Sequence, residues 1–173
     1  MKHRSTSILT QIAMAVAAII VGGYAIYIVS SQVPLPGVKY SAMAPYLSLV
    51  MAIVITFFRL KNIVLVVNSV FAMIMTLISP YMGLAIFSTG LATQVVSNLI
   101  PDRFLLKTQI VASIYSAFVA GIALQVSKYF IGGAFYDQIT WPYVFLLMGI
   151  AFVLGLIGGH YGVLIGKRVR KSI

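Results

Sequence analysis

The chain has 173 residues, of which 61% are hydrophobic and 8% charged, with a mean hydropathy of +1.07. A soluble domain carries about a quarter charged residues, so a water-soluble globular protein is excluded, and a disordered one with it. Twelve Lys and Arg stand against two acids, for a net charge of +10, and cysteine is absent, which removes disulfides, thiol chemistry and thiolate metal sites.

Six helical spans at about 20 residues each use about 120 residues. The remainder is short loops and tails, so residues 1–173 are expected to form a single six-helix, all-α integral membrane domain. The first span is expected at Ile8–Val29. Its apolar run is too long for a signal-peptide core and lacks a clean cleavage signal, so it reads as a retained span. A loop with Pro34, Pro36 and Gly37 follows, then a short second span at Ala44–Phe58 and the basic turn Arg59-Leu60-Lys61. The third span runs over Ile63–Ile78 and is divided from the fourth, Met82–Ile100, only by Ser79-Pro80. The turn from Pro101 through Asp102 and Arg103 to Lys107 leads into the fifth span, Gln109–Ser127. Lys128 to Thr140 is a loop with two glycines and several aromatics, and the last span, Trp141–Ile165, is stopped by Lys167-Arg168-Val169-Arg170-Lys171.

Basic residues of membrane proteins concentrate on the cytoplasmic side. With the N-terminus inside and the spans alternating, the inside segments hold Lys2, Arg4, Arg59, Lys61, Arg103, Lys107, Lys167, Arg168, Arg170 and Lys171. The outside segments hold only Lys39 and Lys128. An odd number of spans would spoil that asymmetry, so both termini are expected in the cytoplasm, in a multi-pass protein of a cell membrane, bacterial by type. The positive charge is therefore read as topology and contact with anionic lipid, with no nucleic-acid partner.

Catalytic candidates are few, and no enzyme activity is expected. Asp102 and Asp137 fall on opposite faces and cannot act as a pair. His160 follows Gly158-Gly159 with no nucleophile motif beside it, and is expected to pack and bond a carbonyl. No phosphate-cradling Gly-rich loop followed by Lys is present, so the chain is not expected to hydrolyse ATP itself, and no cofactor of its own is expected. The expected spans contain no ionised side chain, and their amides, Asn68, Gln94 and Asn98 among them, are expected to make interhelical hydrogen bonds. That scatter disfavours a channel, which needs a continuous polar stripe.

Small residues are patterned. Ala13 and Ala17 lie four apart on the first span, and Gly155 and Gly159, then Gly158, Gly162 and Gly166, repeat at the same spacing on the last. Such spacing aligns small residues on one helix face and lets another helix approach closely. For the alanines, packing within the chain and packing against a partner both remain open. The outer loops bring together Lys39, Tyr40, Tyr81, Lys128, Phe135, Tyr136, Asp137 and Trp141. Part of this is the aromatic belt of a membrane interface, but aromatic walls with a few polar groups also make a ligand site.

The stretch Ala13-Met14-Ala15-Val16-Ala17, the loop Pro34-Leu35-Pro36-Gly37 and the ending from Gly155 to Arg168 resemble the substrate-binding S components of energy-coupling-factor vitamin transporters. The resemblance extends over nearly the whole chain in size, six-span layout and orientation. It implies a subunit that captures one vitamin or related micronutrient at the outer face and docks on a transmembrane coupling subunit driven by two ATPase subunits, which use the ATP. Ala13 and Ala17 would contact the coupling subunit, and Lys39 and Tyr40 would lie in a gating loop. Topology places Tyr81, Gln125, Lys128, Tyr136, Asp137 and Trp141 near the ligand. Pantothenate, a thiamine precursor, riboflavin, cobalamin and a haem-like tetrapyrrole all remain open as ligands, and no metal-binding residue is singled out. The competing classes are a membrane assembly or scaffold subunit, which would use the same alanine face and bind no small molecule, and a small channel.

Overall fold

A computed structural model describes residues 2–33, 35–101, 104–137 and 139–171, with side chains from Ile8 to Arg170 apart from Ala134 and Phe135. Pro34, Asp102 and Arg103, and the side chains of Lys2, Arg4, Phe135 and Lys171, lie outside the described residues. The protein is 88% helix, without strand among the described residues. The helices are α1 (Lys2–Ser30), α2 (Val38–Phe58), α3 (Ile63–Thr76), α4 (Pro80–Leu99), α5 (Phe104–Val126), a π-helical turn (Ser127–Ile131), α6 (Ala134–Asp137) and α7 (Trp141–Lys171). Five of them are long and apolar enough to cross a membrane, and α3, with 14 residues, is a shorter apolar helix. The fold is that of an all-α, multi-pass membrane protein.

The helices are longer than the hydropathy pattern predicts. α2 begins at Val38, six residues before the expected Ala44, because Gly37 (φ 85°) supplies the left-handed corner that turns the chain into the helix. Lys39 and Tyr40 therefore sit in the first turn of α2, which corrects the expectation of a loop. α7 runs on through the basic cluster to Lys171, since Lys and Arg are good helix formers. Only α3 is shorter than expected. It stops at Thr76, and Leu77 and Ile78 close it as turns onto Ile74 and Met75. The sequence pattern carried apolar character through to Ile78 without marking where the helical bonds cease.

Apolar side chains cover the outside. Val21 and Val29 of α1, Leu91 and Val95 of α4, and Phe145, Val153 and Ile157 of α7 are all exposed. A patch of that extent is not stable against water, and it suits lipid. Inside, the packing depends on small residues. A methyl group on Gly158 would collide with the carbonyl of Pro45, one on Gly162 with the backbone of Leu49, and one on Gly166 with Thr56. The contact advances in the same direction on both helices, so α7 runs parallel to α2. On its other side α7 lies antiparallel to α5, with Gly155 against Ser113 and Ser116, and Gly159 against the Gln109 carbonyl. Pro45 lies within α2. It deprives its own helix of one N–H, while its backbone forms the seat of Gly158.

Polar side chains inside the bundle bond mostly to backbone carbonyls, while the Thr56 hydroxyl and the side-chain oxygens of Gln94 and Gln125 are buried without a partner. Thr76, Thr89, Thr93, Thr108 and Ser113 donate to the carbonyl four residues back, which satisfies a hydroxyl without a second helix. Ser48 donates to the Gly155 carbonyl, and Gln109 to the Leu156 carbonyl at 3.2 Å. Asn68 donates to the Val64 carbonyl at 2.8 Å and accepts from the fully buried Tyr115 hydroxyl at 3.0 Å. That bond ties the α3–α4 hairpin to α5. His160 departs from expectation. It is exposed, with its ring edge-on to Tyr161 at 5.8 Å, because Gly158, Gly159 and Gly162 take the inward positions around it.

Replacing Gly162 by Leu pushes a side chain into the backbone of α2, which cannot yield as a side chain can. Overpacking of this kind costs about 1–3 kcal/mol, and thermal unfolding in detergent should show it. Gly149 has open space around it, so Gly149→Ala should leave stability unchanged or raise it by up to about 1 kcal/mol through helix propensity. Tyr115→Phe leaves the Asn68 carbonyl oxygen buried without its donor and should destabilise by about 1–2 kcal/mol. The double variant Asn68→Leu/Tyr115→Phe removes both partners and should recover part of that loss.

Candidate functional site

The alternation of helix directions gathers residues 31–33 and 35–37, the turn before α4, and residues 127–137, 139 and 140 at one end of the bundle. The opposite end holds Arg59, Lys61, Lys107 and the end of α7.

At the first end, the loop between α1 and α2 is held down onto α5 and α7. The Tyr143 hydroxyl donates to the Pro36 carbonyl at 2.6 Å. Gly37 is buried, and any side chain there would strike Leu147 and Leu124. Glycine is required twice over, for its left-handed backbone and for this close approach. Tyr40 continues the contact, its hydroxyl sharing a 3.3 Å hydrogen bond with Ser127. Beneath the loop, buried Leu124, Ile139, Val144 and Leu147 form an apolar floor against which Tyr40, Tyr136 and Tyr143 pack.

Two cations border this floor. The Lys39 ammonium donates to the Tyr27 hydroxyl at 2.9 Å and lies 4.7 Å from the Tyr27 ring centre and 5.5 Å from that of Tyr40, within the range of cation–π attraction. Lys128 donates to the Ile139 carbonyl. It sits in the π-helical turn, whose extra residue per turn alters the direction of side chains, a device frequent at functional sites. The turn closes with the Gly132 N–H on the Ser127 carbonyl at 3.1 Å. Gln125, at the end of α5, has a buried side-chain oxygen without a hydrogen-bond partner.

Of the residues expected at the ligand, Lys39, Tyr40, Lys128 and Tyr136 border this floor, with Gln125 next in sequence to Leu124. Tyr81 instead stacks on Phe130, ring centres 4.8 Å apart, and both are exposed. Trp141 is 59% exposed and lies tilted against the exposed Phe145, the placement of an interfacial anchor. Asp137 is exposed, its N–H bonded to the Gly133 carbonyl at 3.2 Å. Tyr27, Ser127 and Tyr143 were not singled out from sequence. All three lie inside or at the ends of apolar spans, where a single Tyr or Ser reads as interface or packing.

Ala13 and Ala17 are exposed on α1, whose inward face is Ile12, Val16 and Ile19. α1 is held to α2 higher up, where Gly22 lies against the Tyr46 ring and the Tyr46 hydroxyl donates to the Ala18 carbonyl at 2.6 Å. Packing within the chain thus does not account for the alanine pair.

Compared with protein-family models, curated proteins and solved structures, the chain matches none.

Loss of the Tyr143–Pro36 bond should release the loop. Ser127 is 6% exposed beneath Tyr40, and the chain has no cysteine of its own, so Ser127→Cys reports opening through its rate of thiol labelling. Adding Tyr143→Phe, a loss of about 1 kcal/mol, should raise that rate about fivefold.

Proposed function

We propose that the chain is the substrate-capture subunit of an ATP-driven importer of the energy-coupling-factor kind. Its six helices would cross a bacterial plasma membrane with both termini in the cytoplasm. α3 would be the shortest crossing, extended by the apolar Leu77 and Ile78. The observation that carries the reading is the proline loop pinned by Tyr143 over an apolar, aromatic floor bordered by Lys39 and Lys128. A flat vitamin or tetrapyrrole ring would stack on Tyr40 and Tyr136, its carboxylate or phosphate would meet the lysines, and the unpaired Gln125 oxygen would accept a ligand N–H or hydroxyl. Charge-assisted bonds of the lysine kind are the stronger ones, and the loop would exclude water from them. The capture event would precede docking on a transmembrane coupling subunit, to which the exposed Ala13–Ala17 face is suited, with two ATPase subunits supplying the energy.

Mass spectrometry of small molecules released from detergent-purified protein tests the reading first. One stoichiometric vitamin or tetrapyrrole is expected, lost in the Lys39→Ala/Tyr40→Ala variant. Ala13→Phe/Ala17→Phe should keep that ligand while abolishing its uptake into cells. A protein empty after incubation with a vitamin and cofactor mixture, but still captured by a membrane partner through Ala13 and Ala17, would instead be a scaffold subunit.

A further inference from the structure

The end of the bundle opposite the loop holds a cavity of about 950 Å³ between the α2–α3 turn, the end of α4 and the start of α5. Its size is within the range of small-molecule sites. Three cations line it, Arg59, Lys61 and Lys107. The wall between them is mixed, with Ile63, Leu99 and Val111 among its apolar parts.

Two features mark the cavity as built. The first is Arg59. It is the one non-glycine residue with positive φ (50°) among the described residues, capping α2 with its N–H on the Ile55 carbonyl at 3.1 Å. A left-handed conformation is uncommon outside glycine and Asn and carries a steric cost. It brings the guanidinium over the Phe104 ring at 4.3 Å, which holds the charge at the cavity wall. The second is Gln94, only 4% exposed. Its amide nitrogen donates to the Lys61 carbonyl at 2.9 Å and to the Asn98 side-chain oxygen at 3.0 Å, so its orientation is fixed. Its oxygen is buried with no hydrogen-bond partner. Buried acceptors are nearly always satisfied, and this one belongs to a side chain that lines the cavity.

We propose that this cavity binds a phosphate ester that also bears a hydroxyl. The phosphate sits among Arg59, Lys61 and Lys107. The hydroxyl donates to the Gln94 oxygen, and the apolar wall covers the carbon skeleton between them. Two sources supply that chemistry, a membrane lipid with a hydroxylated phosphate headgroup and a soluble glycerol phosphate. The site is independent of the loop-covered end, and it stands whether or not that end captures a vitamin.

Native mass spectrometry of the delipidated full chain, titrated with phosphatidylglycerol, phosphatidylcholine or glycerol 3-phosphate, tests it. One phosphatidylglycerol retained in preference to phosphatidylcholine, and not displaced by glycerol 3-phosphate, supports the lipid source. Direct one-to-one binding of glycerol 3-phosphate that displaces the lipid supports the soluble source. In either case Arg59→Asn/Lys61→Gln should weaken binding about tenfold or more. Asn tolerates the left-handed corner, so the fold is kept. Gln94→Leu, which removes the acceptor of the ligand hydroxyl, should weaken it as well, while Lys167→Gln/Arg168→Gln on the tail of α7 should not. Absence of preference over phosphatidylcholine together with no glycerol phosphate binding overturns the proposal. So does binding that both the Arg59/Lys61 and the Gln94 variants leave unchanged.

Discussion

The contact on which the bundle depends is the seating of α7 against α2 through Gly158, Gly162 and Gly166. In lipid, apolar side chains gain nothing by leaving the surroundings for the protein interior. Helices associate instead through close backbone approach and a few hydrogen bonds. Glycine at every fourth position of α7 removes the side chains from one face, and the backbone at Pro45 and Leu49 and the Thr56 side chain fill the space. With α2 and α7 parallel, α5 lies antiparallel to α7 through Gly155 and Gly159. The α3–α4 hairpin is then tied on by Asn68 and Tyr115. Alternating helix directions decide which loops share an end, and the glycine face sets α7 close against α2, next to the loop whose Pro36 carbonyl the Tyr143 hydroxyl reaches.

Much of this is legible in the sequence, and for physical reasons. A four-residue repeat of glycine in an apolar run has few uses besides close helix contact, and Gly155 to Gly166 serve that one. The apolar blocks locate each helix because the bilayer imposes a minimum length on any span. Their ends are less legible. Lys39 and Tyr40 look like loop residues by polarity, yet a left-handed Gly37 starts the helix before them, and the interface tolerates a Lys and a Tyr in its first turn. Likewise, apolar character outlasts the helix beyond Thr76, because hydropathy records what the surroundings accept and not where backbone bonds stop.

The two ends were unequally readable. At the loop end, the set of Lys39, Tyr40, Lys128 and Tyr136 is visible from topology, because alternating spans must bring those segments to one end. Topology does not separate these four from Tyr81 and Trp141, because it does not show that the floor is built without α4 or that Trp141 lies on the exposed side of α7. At the basic end, the charge of Arg59 and Lys61 reads as a topology signal and nothing more. The cavity becomes apparent only when α4 is placed, since Gln94 looks like any buried amide until its oxygen is found without a donor.

The distribution of charge bears on how such a bundle can move. At mid-height, the polar side chains are bonded within the protein, Asn68 to Tyr115 and Ser48 to Gly155, and lipid meets an apolar surface. Tilting the whole domain therefore exposes few new polar groups to hydrocarbon there, and the resistance comes from the ends. At the loop end, both cations have their ammonium groups engaged, Lys39 by Tyr27 and Lys128 by the Ile139 carbonyl. At the other end, Arg59, Lys61 and Lys167 are exposed. An ammonium with a protein acceptor already in place needs less water than an exposed one, so carrying the loop end toward the hydrocarbon costs less than carrying the basic end there. A rigid-body tilt would thus pivot on the basic end. That pivot is where the proposed phosphate would lie, so a lipid bound there would hold in place the end that moves least.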